Sequence, residues 1–153
     1  MKATQTFDDL LCDQFDIRDM IKRFEELETE LQDAHHGESD PPASPFDEWA
    51  KNTAADENAT MQDAAIEFRA IQSFLDDVKG YGGDEQWRGD WYPVGFIADS
   101  YFEQFAQELA EDIGAINRDA SWPNTCIDWE QAARELQQDY SIVTINGSDY
   151  WYR

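Results

Sequence analysis

Apolar residues recur at helical spacing in two stretches of the first 80 residues. Successive apolar positions in each stretch are three or four residues apart, which is typical of a narrow helix seam. The first seam predicts a helix over residues 16–33 and consists of Ile17, Met20, Phe24, Leu27 and Leu31. The second predicts a helix from about 61 to 78 and consists of Met61, Ala64, Phe68, Ile71, Leu75 and Val78. Two such helices joined by a long loop suggest an antiparallel hairpin, but they could equally pair with a second copy of the chain.

The stretch between the two seams lacks this periodicity. Residues 34–60 contain prolines at 41, 42 and 45, so we expect a loop with room for one helical turn at Phe46–Lys51. Gly80 is well placed to cap the second helix, and Gly82 and Gly83 end this part of the chain.

The second half of the chain predicts two more helices. An aromatic segment from Trp87 to Phe96 has room for a short strand, and a third helix is expected over Ile97–Ile116. The loop Asn117–Thr125 follows, and Asp128 is a favoured N-cap residue for a fourth helix, Asp128–Gln138. The inward residues would be Phe102, Phe105, Leu109 and Ile113 in the third helix, and Trp129, Ala132, Ala133 and Leu136 in the fourth.

The end of the chain carries the clearest local signal. The pair Asn146-Gly147 is preferred in two-residue type I′ turns, and it lies between two β-like runs, Tyr140–Ile145 and Ser148–Arg153. This register sets β-branched residues opposite aromatic ones, which stabilises cross-strand contacts: Val143 with Tyr150, and Ile142 with Trp151. An isolated hairpin is only marginally stable, so its apolar face should pack on the third and fourth helices.

Together these patterns predict an α+β fold that is mainly α. Residues 1–80 should form an acidic helical hairpin. Residues 81–153 should form a unit in which two helices pack on a small antiparallel β-hairpin or sheet. We expect the two parts to make one compact structural unit.

The charge of the chain is unusual. Its 34 Asp and Glu residues face 11 Lys and Arg residues, for a formal net charge of −23. The 14% aromatic content supplies a packed core, so this charge does not indicate disorder. Such a field attracts basic partners and repels nucleic acid and anionic membranes, so we expect no direct nucleic-acid or membrane binding. Solubility or adaptation to salt is the competing explanation of the charge.

Cysteine usage and the N-terminus bear on location. The two cysteines, Cys12 and Cys126, are far apart and in no metal-like spacing, which indicates a reducing compartment. The first residues lack the apolar core of a signal peptide, and no apolar run reaches the length of a membrane span. We therefore expect a cytoplasmic protein.

Candidate catalytic and metal sites are weak. His35 and His36 diverge as neighbours on a helix and have no third ligand at a fixed spacing, so we expect them to lie in solvent at a helix end. The glycine run at residues 80–83 lacks the Lys-Ser/Thr of a phosphate loop. Paired carboxylates are too common to mark a general acid. We expect no enzyme, no metal and no cofactor.

The arrangement of the acidic residues points to a binding role instead. Carboxylates three or four residues apart on a helix repeat at about 5–6 Å along one face, so they can imitate a row of phosphates. Residues 97–116 contain no Lys or Arg, so the acids there lack helical ion-pair partners and repel one another. Ordinary solvated helix faces are the alternative. The candidate partner-binding residues are Asp99, Glu103, Glu108, Glu111 and Asp112 in this segment, and Glu25, Glu28 and Asp33 in the first helix.

The C-terminal third resembles a known family. Residues 97–153 are similar to the C-terminal part of the ArdA antirestriction proteins, and they look still closer to small acidic proteins of phages and mobile elements with the same ending. The residues that carry the resemblance are Asp128, Trp129, Ala133, Arg134, Leu136, Asp139, Tyr140, Gly147, Tyr152 and Arg153. The family's members are elongated, dimeric DNA mimics that occupy the DNA site of type I restriction enzymes. The first 80 residues depart from the family's earlier domains.

The resemblance implies an inhibitor of bacterial DNA-targeting defence, acting in the host cell and present as a homodimer. Its partner would be the basic DNA-binding surface of a defence complex. Because the N-terminal part departs from the family, we favour an anti-CRISPR protein that binds a CRISPR–Cas effector or its nuclease. An antirestriction protein, or an acidic adaptor that leaves DNA bound, are the alternatives.

Overall fold

Helices and a four-stranded sheet make up the computed structural model, which describes residues 5–39, 42–117, 119 and 121–153. The elements in chain order are α1 (Phe7–Leu10), β1 (Gln14–Asp16), α2 (Ile17–Glu38), α3 (Phe46–Ala55), α4 (Gln62–Val78), β2 (Asp84–Trp87), β3 (Asp90–Tyr92), β4 (Gly95–Ala98), α5 (Phe102–Asp112), α6 (Trp129–Gln137), β5 (Ser141–Ile145) and β6 (Ser148–Tyr152). Short 3₁₀ turns precede α5 and α6. The predicted α+β, mainly helical class is confirmed.

The four-stranded sheet forms the centre of the fold. Its order is β1-β4-β6-β5, and every pair is antiparallel. Strand β1 comes from the first part of the chain and the other three from the second part, so one sheet joins the two regions. Strands β2 and β3 form a separate two-stranded hairpin.

The two faces of this sheet belong to different apolar clusters. Side chains alternate between the faces of a strand. Phe96, Tyr150 and Tyr152 pack into the larger cluster with α2, α3 and α4. Ile97 and Trp151 point the other way, into a smaller cluster with Phe102, Ala106 and Ala133 of α5 and α6. The sheet is therefore a middle layer with helices on both sides.

The N-terminal hairpin prediction is confirmed in its two helices but lacked a third. Helices α2 and α4 pack together, and α3 lies against both. Trp49, Ala50 and Thr53 are the buried residues of α3, and they share one helix face. The prolines that precede α3 mark where it starts, so their presence did not indicate a loop throughout.

His35 corrects a second expectation. Its ring is 5% exposed, its Nε2 lies 2.7 Å from the carbonyl oxygen of Ser44, and it packs 5.2 Å from the ring of Trp49. Only His36 lies in solvent. Helix α2 continues to Glu38, beyond the last apolar residue of its seam, and the added turn brings His35 against α3.

The segment before α5 differs from its prediction. Residues 84–98 hold three strands, where the sequence left room for one, and α5 begins at Phe102 instead of Ile97. Ile97 pairs with Trp151 in the sheet, an interaction with a residue far along the chain that local periodicity does not reveal. Ile113 was expected to face inward but is 70% exposed, because α5 ends at Asp112.

The last two elements match their predictions closely. Helix α6 starts after Asp128, whose side chain caps it by accepting a hydrogen bond from the N–H of Gln131. The hairpin has the predicted register, with Val143 opposite Tyr150 and Ile142 opposite Trp151. Asn146 and Gly147 both have positive φ angles, as the type I′ turn requires.

Candidate interaction surface

Three acids of the segment 99–112 are exposed. Asp99 lies in the 3₁₀ turn before α5, and one of its carboxylate oxygens accepts a 2.9 Å hydrogen bond from Nε1 of Trp151. Glu103 lies in the first turn of α5 and Asp112 is its last residue. An acid in the first helical turn interacts favourably with the helix dipole, whereas one in the last turn does not. Asp112 is therefore held there without that stabilisation.

The other two acids of this segment are half-buried. Glu108 accepts a 2.6 Å hydrogen bond from the hydroxyl of Tyr101. This hydrogen bond, together with burial, raises the pKa of Tyr101. Glu111 is also half-buried. The expected row of Asp99, Glu103 and Glu111 is therefore not one outward helix face, because Asp99 precedes the helix and Glu111 faces partly inward.

The predicted acids of α2 are also placed differently from one another. Glu25 and Asp33 are exposed. Glu28 is half-buried and forms a 2.8 Å ion pair with Nη2 of Arg88, whose guanidinium lies 4.0 Å from the centre of the Trp87 ring. Arg88 offsets the charge of Glu28, so this residue contributes less to an acidic surface than its neighbours.

A more regular row on α2 was missed in the sequence. Its members are separated by seven, four and three residues, which places them on one helix face, and all are exposed: Asp19, Glu26, Glu30 and Asp33. Arg23 lies 3.6 Å from Glu26 and offsets part of its charge. The signal was available in the sequence, since these residues lie on the side of the helix away from the apolar seam.

Ion pairs compensate little of this charge. In the described ranges, the cations that form ion pairs are Arg18, Arg23, Lys79, Arg88 and Arg134. None of these contacts reaches Asp99, Glu103 or Asp112, or Glu25, Glu30 or Asp33. Exposed acids without a cation beside them are thus found in the helix layers on both faces of the sheet.

Other candidate sites carry less chemistry. A cavity of about 570 Å³ lies at the edge formed by β1 and β4, and Asp16, Asp19, Phe105, Tyr140 and Arg153 contribute to its lining. Over the described part of the chain, no three His, Cys, Asp or Glu residues are grouped so as to hold a metal ion. Cys12 and Cys126 are exposed free thiols. None of the helices in those ranges is both long and apolar enough to cross a membrane.

Comparison with known proteins gives no relative: neither protein-family models, nor curated proteins, nor solved structures yield a significant match to this chain.

Proposed function

We propose that this protein inhibits a bacterial DNA-targeting defence system by binding, as an acidic DNA mimic, the basic surface through which a CRISPR–Cas effector or nuclease holds DNA. The observation that carries the proposal is the set of exposed, uncompensated carboxylates on α5 and α2. A chain with a net charge of −23 gains more by contacting a basic surface than by leaving these acids in water, because association releases their mutual repulsion.

Two of the acids are held in place by neighbours, which supports recognition of a defined surface. Trp151 orients Asp99, and Tyr101 orients Glu108. An oriented carboxylate loses less side-chain entropy on binding than a freely rotating one. A protein that needed charge for solubility alone would gain nothing from fixing its carboxylates by hydrogen bonds to aromatic side chains.

The resemblance of residues 97–153 to ArdA proteins supports the same class of target. Restriction enzymes and CRISPR–Cas effectors both hold DNA on basic surfaces, so one acidic chain suits either chemically. The helical layer of α2, α3 and α4 departs from the family's domains, which is why the CRISPR–Cas effector is our first choice and a type I restriction enzyme our second.

A competition experiment tests the proposal. Purified CRISPR–Cas effectors and a type I restriction enzyme are each titrated with the protein, with and without their target DNA, at several salt concentrations. We expect binding to one of them, loss of that binding when DNA is added first, and a steep fall in affinity between about 50 and 500 mM salt as screening increases.

Two outcomes would contradict the proposal. A ternary complex with DNA would identify an adaptor instead of a mimic. An affinity that does not change with salt would identify an apolar interface. A monomeric and a dimeric form of the protein bind under this test alike in sign, so its result does not depend on oligomeric state.

A further inference from the structure

The sheet has two edges, and they differ in protection. Strand β1 has three residues and includes Asp16, whose carboxylate is paired with Arg18 at 2.6 Å. Strand β5, at the opposite edge, has five residues, Ser-Ile-Val-Thr-Ile, and carries no charge. Proteins usually protect an exposed edge with charged residues, proline or a bulge. Strand β5 has no charge or proline, and its pairing with β6 is unbroken.

The turn determines which backbone groups of β5 are unpaired. In a hairpin with a two-residue loop, the residues flanking the loop exchange both hydrogen bonds, and bonded and non-bonded pairs then alternate. Ile145, Val143 and Ser141 therefore direct their N–H and C=O groups towards β6. Ile142 and Thr144 direct theirs outward from the sheet. The side chain of Ile142, at this edge, is 50% exposed.

We infer that β5 pairs antiparallel with β5 of a second copy of this chain. A two-fold axis beside Val143 would set each Ile142 opposite Thr144 of the other copy, where their outward backbone groups form four hydrogen bonds. The strand is self-complementary in this register, as an isologous dimer interface must be. The two four-stranded sheets would then form one continuous sheet of eight strands.

The occupant is a second copy because of charge. Two chains that each carry −23 repel one another everywhere except across a surface without acids, and β5 is an exposed edge whose own residues have none. A basic partner would instead select the acidic faces of α2 and α5. The contact is small, so we expect a dimer that dissociates on dilution.

Light scattering across a range of concentrations gives the first test. We expect the mass to rise towards twice 17.7 kDa as concentration increases. Salt should strengthen the dimer, because it screens repulsion between like-charged copies. This sign is opposite to that expected for binding of a basic target, so failure of the dimer and failure of the proposed function are distinguishable. A mass of one chain at every concentration and salt level overturns the inference.

A matched pair of variants locates the interface. Ile142→Glu and Gln32→Glu each add one negative charge, the first at the β5 edge and the second on the exposed face of α2. We expect Ile142→Glu to weaken the dimer by about tenfold or more, because it places like charges across the paired strands. Gln32→Glu should leave the dimer nearly unchanged. Equal effects of the two variants would mean that the interface is elsewhere.

Hydrogen exchange in the unchanged protein keeps the test valid if Ile142→Glu fails to fold. The amides of Ile142 and Thr144 should be protected only at concentrations where the dimer forms. Those of Val143 and Ile145 bond to β6 and should be protected at every concentration, which provides the internal control. Rapid exchange at Ile142 and Thr144 in a sample shown to be dimeric excludes pairing through β5.

Discussion

Nε1 of Trp151 donates a 2.9 Å hydrogen bond to a carboxylate oxygen of Asp99. The bond joins β6, at the end of the chain, to the turn that leads into α5. The ring of Trp151 also packs edge-on against Phe102, 5.9 Å away between ring centres. One aromatic side chain thus fixes both the position of α5 and the direction of its first exposed acid.

Trp151 should therefore affect stability and binding to different degrees in two variants. Trp151→Phe keeps an aromatic ring beside Phe102 but loses the hydrogen bond, and we expect a cost of about 1 kcal/mol in the free energy of unfolding. Trp151→Ala also loses the packing and should cost about 2–4 kcal/mol. Urea denaturation measures both. Equal losses would show that the ring contributes no packing beyond its hydrogen bond.

Neutralising the exposed acids of residues 99–112 should weaken target binding without harming the fold. The variant Asp99→Asn, Glu103→Gln, Asp112→Asn removes three charges and keeps side-chain shape. Glu111 is retained because it is half-buried. Less repulsion should leave stability unchanged or raise it by a few tenths of a kcal/mol, about the size of helical charge-pair effects. Inhibition should fall progressively as each charge is removed.

The control for that variant removes three charges elsewhere. Asp63, Asp76 and Asp77 are exposed acids of α4, and replacing them with Asn gives the same net charge. If both triple variants inhibit equally, the effect follows total charge and not the surface at α5. If the α5 variant inhibits like the unchanged protein, the acids of α2 (Glu25, Glu30 and Asp33) are the next to neutralise, and survival of inhibition after both changes would refute charge mimicry.

Stability should depend on pH through Glu67. This carboxylate accepts hydrogen bonds from Nε and Nη2 of Arg23 and from the N–H of Phe7, and so joins α4 to α2 and α1. Burial raises the pKa of Glu67, but the bonds from Arg23 and Phe7 and the charge of Arg23 outweigh it and hold the pKa below its ordinary value of 4.5. The stabilisation is therefore present above pH 4.5 and is lost as the pH falls through the lower, folded-state pKa.

Replacing Glu67 with Gln tests this dependence. At neutral pH we expect the variant to lose about 1–3 kcal/mol of unfolding free energy, and this difference should shrink at about pH 3, where the native carboxylate is itself protonated. Glu130→Gln is the control, since its ion pair with Arg134 is exposed and should cost less than about 0.5 kcal/mol at either pH. A difference that stays constant from neutral to acid pH would contradict the role given to the charge of Glu67.

The glycine run 80–83 serves the turn between α4 and β2, and two of its members make contrasting predictions. Gly83 has a φ of +69°, and an added Cβ would collide with the backbone of Tyr92 and Pro93. Gly80 has a φ of +85° but open space around it. Gly80→Ala should cost about 1 kcal/mol from backbone strain alone. Gly83→Ala should cost at least about 2 kcal/mol more, because Tyr92 and Pro93 must also move. Thermal denaturation compares them, and equal costs would show that the close approach to Tyr92 is relieved without penalty.

The sequence by itself determined the elements whose information is local. The seams of α2 and α4 repeat every three or four residues, Asp128 caps α6, and Asn146-Gly147 sets both the turn and the register of β5 and β6. Each of these signals lies within one helix or one hairpin, where the physical preference acts over a few residues. The exposed row on α2 was readable in the same way, as the side opposite the seam.

Tertiary structure alone decided where the chain pairs with distant parts of itself. Strand β1 has only three residues, too few to show a period of two, and it exists because it pairs with β4, about 80 residues further on. Ile97 fits a helix by local pattern, but pairing with β6 stabilises it as a strand. The burial of His35, the ion pair of Glu28 with Arg88 and the hydrogen bond of Asp99 with Trp151 likewise join residues that only packing brings together. Which acids remain exposed depends on these contacts, because hydrogen bonding and burial act between neighbours in space.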